Sequence, residues 1–126
     1  MTANLDLKDT YWCIYGTIKP ISRCKGWQDI SITVNLYYTG KNGNARRFAE
    51  EMVSSGLVDA VRAEEGNERY EYFFPMEDPE TVLLIDRWRD QEALDIHHKS
   101  EMMARIAALR DKYQLRLRVE RYVEES

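Results

Sequence analysis

Apolar and polar residues alternate from Ile30 to Tyr38: Ile30, Ile32, Val34, Leu36 and Tyr38 share one parity, and Ser31, Thr33, Asn35 and Tyr37 the other. A period of two predicts a strand with one buried face. Thr39-Gly40-Lys41-Asn42-Gly43 is turn chemistry, and Asn44 stands where an N-cap would serve the first free amides of a helix. In that helix Ala45, Phe48, Ala49, Met52 and Val53 recur at helical spacing, which predicts one apolar stripe against a sheet. Ser54-Ser55-Gly56 interrupts it, and a shorter helix is expected over Leu57 to Ala63 with Val58 and Val61 inward.

Glu65-Gly66-Asn67 then opens an aromatic strand that sets Tyr70, Tyr72 and Phe74 on one face. Pro75 and Asp78-Pro79 end it, because proline cannot continue a ladder and biases its predecessor toward extended geometry. A third strand is predicted from Thr81 to Trp88. Asp90 caps a helix reaching His98, and another helix runs from Ser100 toward Tyr113 with Met103, Ile106 and Ala107 inward. Leu115, Leu117, Val119, Arg121 and Val123 alternate with Arg116, Arg118, Glu120 and Tyr122, which predicts a closing, half-buried strand.

The order is strand, helix, strand, strand, helix, strand. This is the ferredoxin-like βαββαβ arrangement, an α+β fold with a four-stranded antiparallel sheet over residues 30–123. Helices would cover one sheet face. The other is too rich in aromatic and strand-forming residues to be left in water, so a homodimer is expected in which two sheets pack face to face.

Residues 1–29 stand apart. Tyr11-Trp12-Cys13-Ile14-Tyr15-Gly16-Thr17-Ile18 is rich in strand formers and is expected to form one extra strand, either packing on its own subunit or serving as an arm. Residues 124–126 are read as a solvated tail.

Composition narrows this picture. A chain of 126 residues is one domain, and a net charge of -4 argues against nucleic acid as a partner. No apolar run has the length of about 18 residues needed for a membrane span, and Met1 to Thr10 lacks the pattern of an export signal, so a cytoplasmic protein is expected. Cys13 and Cys24 are then expected as free thiols, and their spacing without a nearby histidine makes a poor metal site.

Several of these pieces together resemble a known family. Glu65-Gly66-Asn67 with Tyr70, the Asp78-Pro79 turn, Trp88 before an acidic turn, and Glu92-Ala93-Leu94 leading to His97, nine residues after Trp88, resemble the antibiotic biosynthesis monooxygenase domain, a dimeric α+β barrel. The resemblance runs from Ile30 to Val123. It implies a cofactor-independent monooxygenase that oxidises a quinol-like or polyphenolic small molecule with molecular oxygen, since a deprotonated phenol or quinol can reduce oxygen directly. It also implies a site with Trp88 as wall and indole donor, His97 as proton carrier and Asn35 as a neutral polar group, and Tyr37, Tyr70, Tyr72, Phe74 and Met102 as substrate contacts. No metal or cofactor is expected.

Other chemistries in the family fit this chain less well. Haem-degrading members carry their iron-ligating histidine about where Ala107 falls, and sugar-isomerase relatives place a second histidine where Met102 stands. A non-catalytic ligand-binding or stress-response dimer is the alternative. The residues themselves also have plainer readings. Trp88 serves equally as a core or interface anchor, His97 as a helix-end histidine bonded to a carboxylate or carbonyl, Tyr70, Tyr72 and Phe74 as sheet packing, and Met102 as a gap filler. His98 points about 100° from His97 and is expected in solvent.

Overall fold

The computed structural model describes residues 30–123, and the readings of the strand in 1–29, of Cys13 and Cys24, and of the tail 124–126 lie outside those residues. The expected order is found. β1 (Ile32–Thr39) is followed by α1 (Asn44–Ser54) and α2 (Leu57–Arg62), then β2 (Asn67–Phe73) and β3 (Thr81–Trp88). Next come α3 (Gln91–His98), α4 (Glu101–Lys112) and β4 (Arg116–Val123). The sheet has the order β2-β3-β1-β4 and all its pairs are antiparallel, which makes the fold ferredoxin-like.

Register and pleat decide which residues meet the helices. Ile32 pairs with Trp88, Val34 with Asp86, Leu36 with Leu84 and Tyr38 with Val82 across β1 and β3, while Tyr70 and Tyr72 of β2 stand opposite Asp86 and Leu84. Side chains alternate along a strand, so these residues share the helix-covered face. Phe48, Met52, Leu57, Val61 and Leu94 complete the core there, each fully enclosed and worth about 2–3 kcal/mol of transfer free energy. Helix α2 lies over β2, α1 and α3 over β3, and α4 rests mainly on the other helices.

That arrangement explains one departure from expectation. β4 is more exposed than its alternation predicts, with Leu117 36% and Val119 52% accessible on the helix-facing side. It is an edge strand, and the helices lie mainly over its neighbours. A second departure concerns Asn44, which is the first residue of α1 rather than its cap. Gly43 takes the cap position with φ 80°, and the Asn44 amide donates to the Tyr113 carbonyl at 3.1 Å, tying α1 to the end of α4. Asp90 and Ser100 do cap, accepting from the amides of Ala93 and Met103 at 2.9 and 3.3 Å.

Candidate functional site

The last residue of β3 and the last turn of α3 meet beneath the sheet. Trp88 falls on the helix-facing parity of β3, and the Asp90 cap turns the chain at once into α3. In α3 the buried residues Ala93, Leu94 and His97 fall at helical spacing, so the imidazole is carried inward. Its ring stacks on the Trp88 indole with centroids 4.7 Å apart and planes at 27°. Trp88 is 0% and His97 3% exposed.

A third group completes this stack. Oε2 of Glu64, in the turn after α2, lies 2.9 Å from His97 Nδ1. Gly66 makes that approach possible: it has φ 90°, and a Cβ there would stand 2.4 Å from the Cβ of Ala93, so the turn can lie against α3 only without a side chain. Its carbonyl accepts from the Arg89 amide at 2.7 Å, fixing the turn to the end of β3. With Nδ1–H donating to Glu64, a neutral His97 keeps the lone pair on Nε2, and a protonated His97 donates from both nitrogens.

Asp86 lies two residues before Trp88 on the same face, opposite Val34 and Tyr70, and is 5% exposed. Burial pushes its carboxyl up to about 7, and the charge of Glu64 acts in the same direction. The Trp88 indole N–H is near enough to favour the anion, yet it falls outside hydrogen-bond geometry, and Asp86 Oδ1 and Trp88 Nε1 have no hydrogen-bond partner. Around them Tyr70 and Tyr72 pack edge to face with hydroxyls 3.5 Å apart, and Tyr38 packs on Phe48 at 4.7 Å. Burial raises the pKa of all three phenols well above the ordinary tyrosine value, so they remain neutral.

The expected site residues therefore divide. Trp88 and His97 are brought together, Tyr70 and Tyr72 share their sheet face, and Met102 packs half-buried against the same core. Asn35 and Tyr37 do not join them. Both have the opposite parity on β1, where Asn35 pairs with Ile85 and Glu120, and Tyr37 lies under the Arg118 guanidinium at 4.0 Å. Phe74 lies one residue beyond the end of β2. It is 43% exposed, with the Arg46 guanidinium 3.8 Å above its ring. His98 is at the helix surface, as its position predicts.

Two residues that the sequence reading passed over stand beside the stack. Asp86 had a visible signal: it is the one charged residue on the parity otherwise held by Val82, Leu84 and Trp88. Glu64 had only its place two residues before Gly66. Among the described residues no cluster of three or more His, Cys, Asp or Glu side chains is placed to hold a metal ion, and no helix is long and apolar enough to cross a membrane.

Comparison with known proteins gives consistent matches. The family model described as antibiotic biosynthesis monooxygenase matches residues 31–109. A Bacillus subtilis (strain 168) protein named "Putative monooxygenase YcnE" is 30% identical over 69 residues, which span 55% of this chain and 70% of that protein. Among solved structures, PA3566 from Pseudomonas aeruginosa superposes with a TM-score of 0.65 at 24% identity, over 79% of this chain and 98% of the other. A Bacteroides thetaiotaomicron protein gives 0.68 at 18% identity, over 76% and 99%. At these identities the two structures establish the shared fold.

Proposed function

The chain belongs to the antibiotic biosynthesis monooxygenase family, and from that membership we propose that it oxidises a quinol-like or polyphenolic small molecule with molecular oxygen, without a bound cofactor. The observation that carries this reading is the Glu64–His97–Trp88 stack, an imidazole held at Nδ1 by a carboxylate and flattened on an indole. Such a group can pass a proton at Nε2 without reorienting. The substrate supplies the electrons: a hydroquinone and one O2 give a hydroxyquinone and one water. The protein has to bind the phenol, favour its anion and keep bulk water away. His97 Nε2 exchanges the proton, Trp88 forms the wall, and Tyr70, Tyr72 and Met102 line the apolar surround.

Asn35, Tyr37, Phe73, Leu83, Ile85 and Tyr122 lie on the other sheet face, which we assign to packing against a second copy. Cytoplasmic residence belongs to the same proposal.

Oxygen uptake with a panel of hydroquinones tests the activity. Wild type is expected to exceed buffer with at least one of them, and Trp88→Phe to lose about tenfold or more of that rate. Uptake equal to buffer throughout rejects it. The complete burial of Trp88 and His97 equally suits a non-catalytic binding protein, which would show ligand-induced thermal stabilisation without product. Haem binding has less support, because Glu64 engages Nδ1 of His97 and Trp88 covers one face of its ring.

A further inference from the structure

Asp86 Oδ1 and Trp88 Nε1 are buried neighbours on one face of β3, and neither has a hydrogen-bond partner. Leaving such groups unsatisfied away from water is unfavourable. One is an acceptor and the other can only donate. A hydroxyl satisfies both at once, because its oxygen accepts while its hydrogen donates.

The surroundings select what kind of hydroxyl. Tyr70 stands opposite Asp86 on β2, Tyr38 and Tyr72 lie on the flanking positions of the same face, and Leu36 and Met102 are only partly enclosed. This is an aromatic and aliphatic surround. Helical cover is thinnest over β4, where Leu117 and Val119 reach solvent on this same side of the sheet.

We propose that Asp86 and Trp88 form the hydroxyl-binding pair for a phenolic substrate, with the indole N–H donating to the phenol oxygen and the Asp86 carboxylate removing its proton. The inference rests on the phenol-oxidising reading above and adds the base. The phenol O–H bond breaks and an O–H bond forms on Asp86. The electron pair stays on the phenolate oxygen, held by Trp88, and nothing is oxidised or reduced in this step. His97 is then free to serve a later proton transfer. The groups acting on Asp86 are the Trp88 indole and Glu64 from the turn after α2; the Asp86 charge in turn acts on the phenols of Tyr70, Tyr38 and Tyr72, which face it, while Arg110 of α4 acts on Tyr38 and His97 lies against Trp88. Burial among them brings the Asp86 carboxyl to about 7, so it can accept a proton near neutral pH.

The test is calorimetric binding of 1-naphthol and of its methyl ether, which lacks the donor hydrogen, under nitrogen so that turnover plays no part. Wild type is expected to bind 1-naphthol at least about tenfold more tightly. In Asp86→Leu and in Trp88→Phe this preference falls to within about threefold. Asp86→Asn keeps an acceptor and cannot take the proton, so it retains naphthol affinity while oxygen uptake with the best hydroquinone falls about 100-fold or more. Equal binding of the two compounds by wild type, no binding of either, or an undiminished preference in folded Asp86→Leu or Trp88→Phe overturns the proposal. If wild type prefers naphthol through Asp86 and consumes no oxygen with any hydroquinone, the base is rejected together with the oxidation reading, and only hydroxyl binding survives. If it consumes oxygen while Asp86→Asn is as fast, the base alone fails.

Discussion

Glu64 and His97 are 33 residues apart in sequence and 2.9 Å apart in space, with side chains 10% and 4% exposed. The pair joins the turn after α2 to the last turn of α3, so it fixes both the orientation of the imidazole and the approach of two elements. Glu64→Ala would leave Nδ1 enclosed without its acceptor. A loss of about 1–3 kcal/mol is expected in urea denaturation, and Glu64→Gln, which keeps an acceptor, should lose less. Equal stability of wild type and Glu64→Ala would show that the contact contributes nothing net.

Gly66 sets the distance across which that pair forms. Gly66→Ala meets two obstacles, a positive φ and a Cβ placed 2.4 Å from the Cβ of Ala93. Destabilisation of at least about 2 kcal/mol is expected. Adding Ala93→Gly relieves the clash but not the backbone strain, so the double variant should recover only part of the loss. Thermal melts of the three proteins decide this, and a Gly66→Ala melting temperature equal to wild type would refute it.

Asp86 makes stability depend on pH with a definite sign. Its carboxyl titrates near 3.8 when unfolded and at about 7 when folded. Between those values the folded chain holds a proton that the unfolded chain has released, so stability falls as pH rises from about 4 to about 7 and is then level. The full difference is on the order of 4 kcal/mol. Asp86→Asn removes this dependence and is expected to exceed wild type in stability at about pH 8, with little difference at about pH 4. A variant no more stable than wild type at the higher pH would refute the assignment.

Ile85 stands at the centre of the sheet face turned away from the helices, paired with Asn35 on one side and Glu71 on the other. If that face joins two copies, Ile85→Glu places a charge in the contact and should give a folded monomer. Sedimentation equilibrium at micromolar concentration is expected to report a dimer for wild type and half that mass for the variant. A monomeric wild type would remove the sheet-to-sheet assembly.

Much of the fold was readable because its determinants are local. The alternation from Ile32 to Tyr38 and the Asp90 and Ser100 caps act within a few residues, and they appear where the pattern predicts. The site was readable in part. Spacing along β3 and α3 brings Trp88 and His97 together because one short turn links their elements. Asn35 and Tyr37 were misplaced because register alone decides which parity of a strand meets the helices, and a one-residue difference reverses the face.

The sequence by itself determined the order of elements, their boundaries to within a residue or two, and the family to which the chain belongs. Tertiary structure decided which charges lose their water. Glu64 reaches His97 only when Gly66 lies against Ala93, and Asp86 acquires its raised pKa only when helices close over β3. Periodicity records which side of an element is apolar. Desolvation and pairing depend on what other elements bring to that side, and those elements lie far away along the chain.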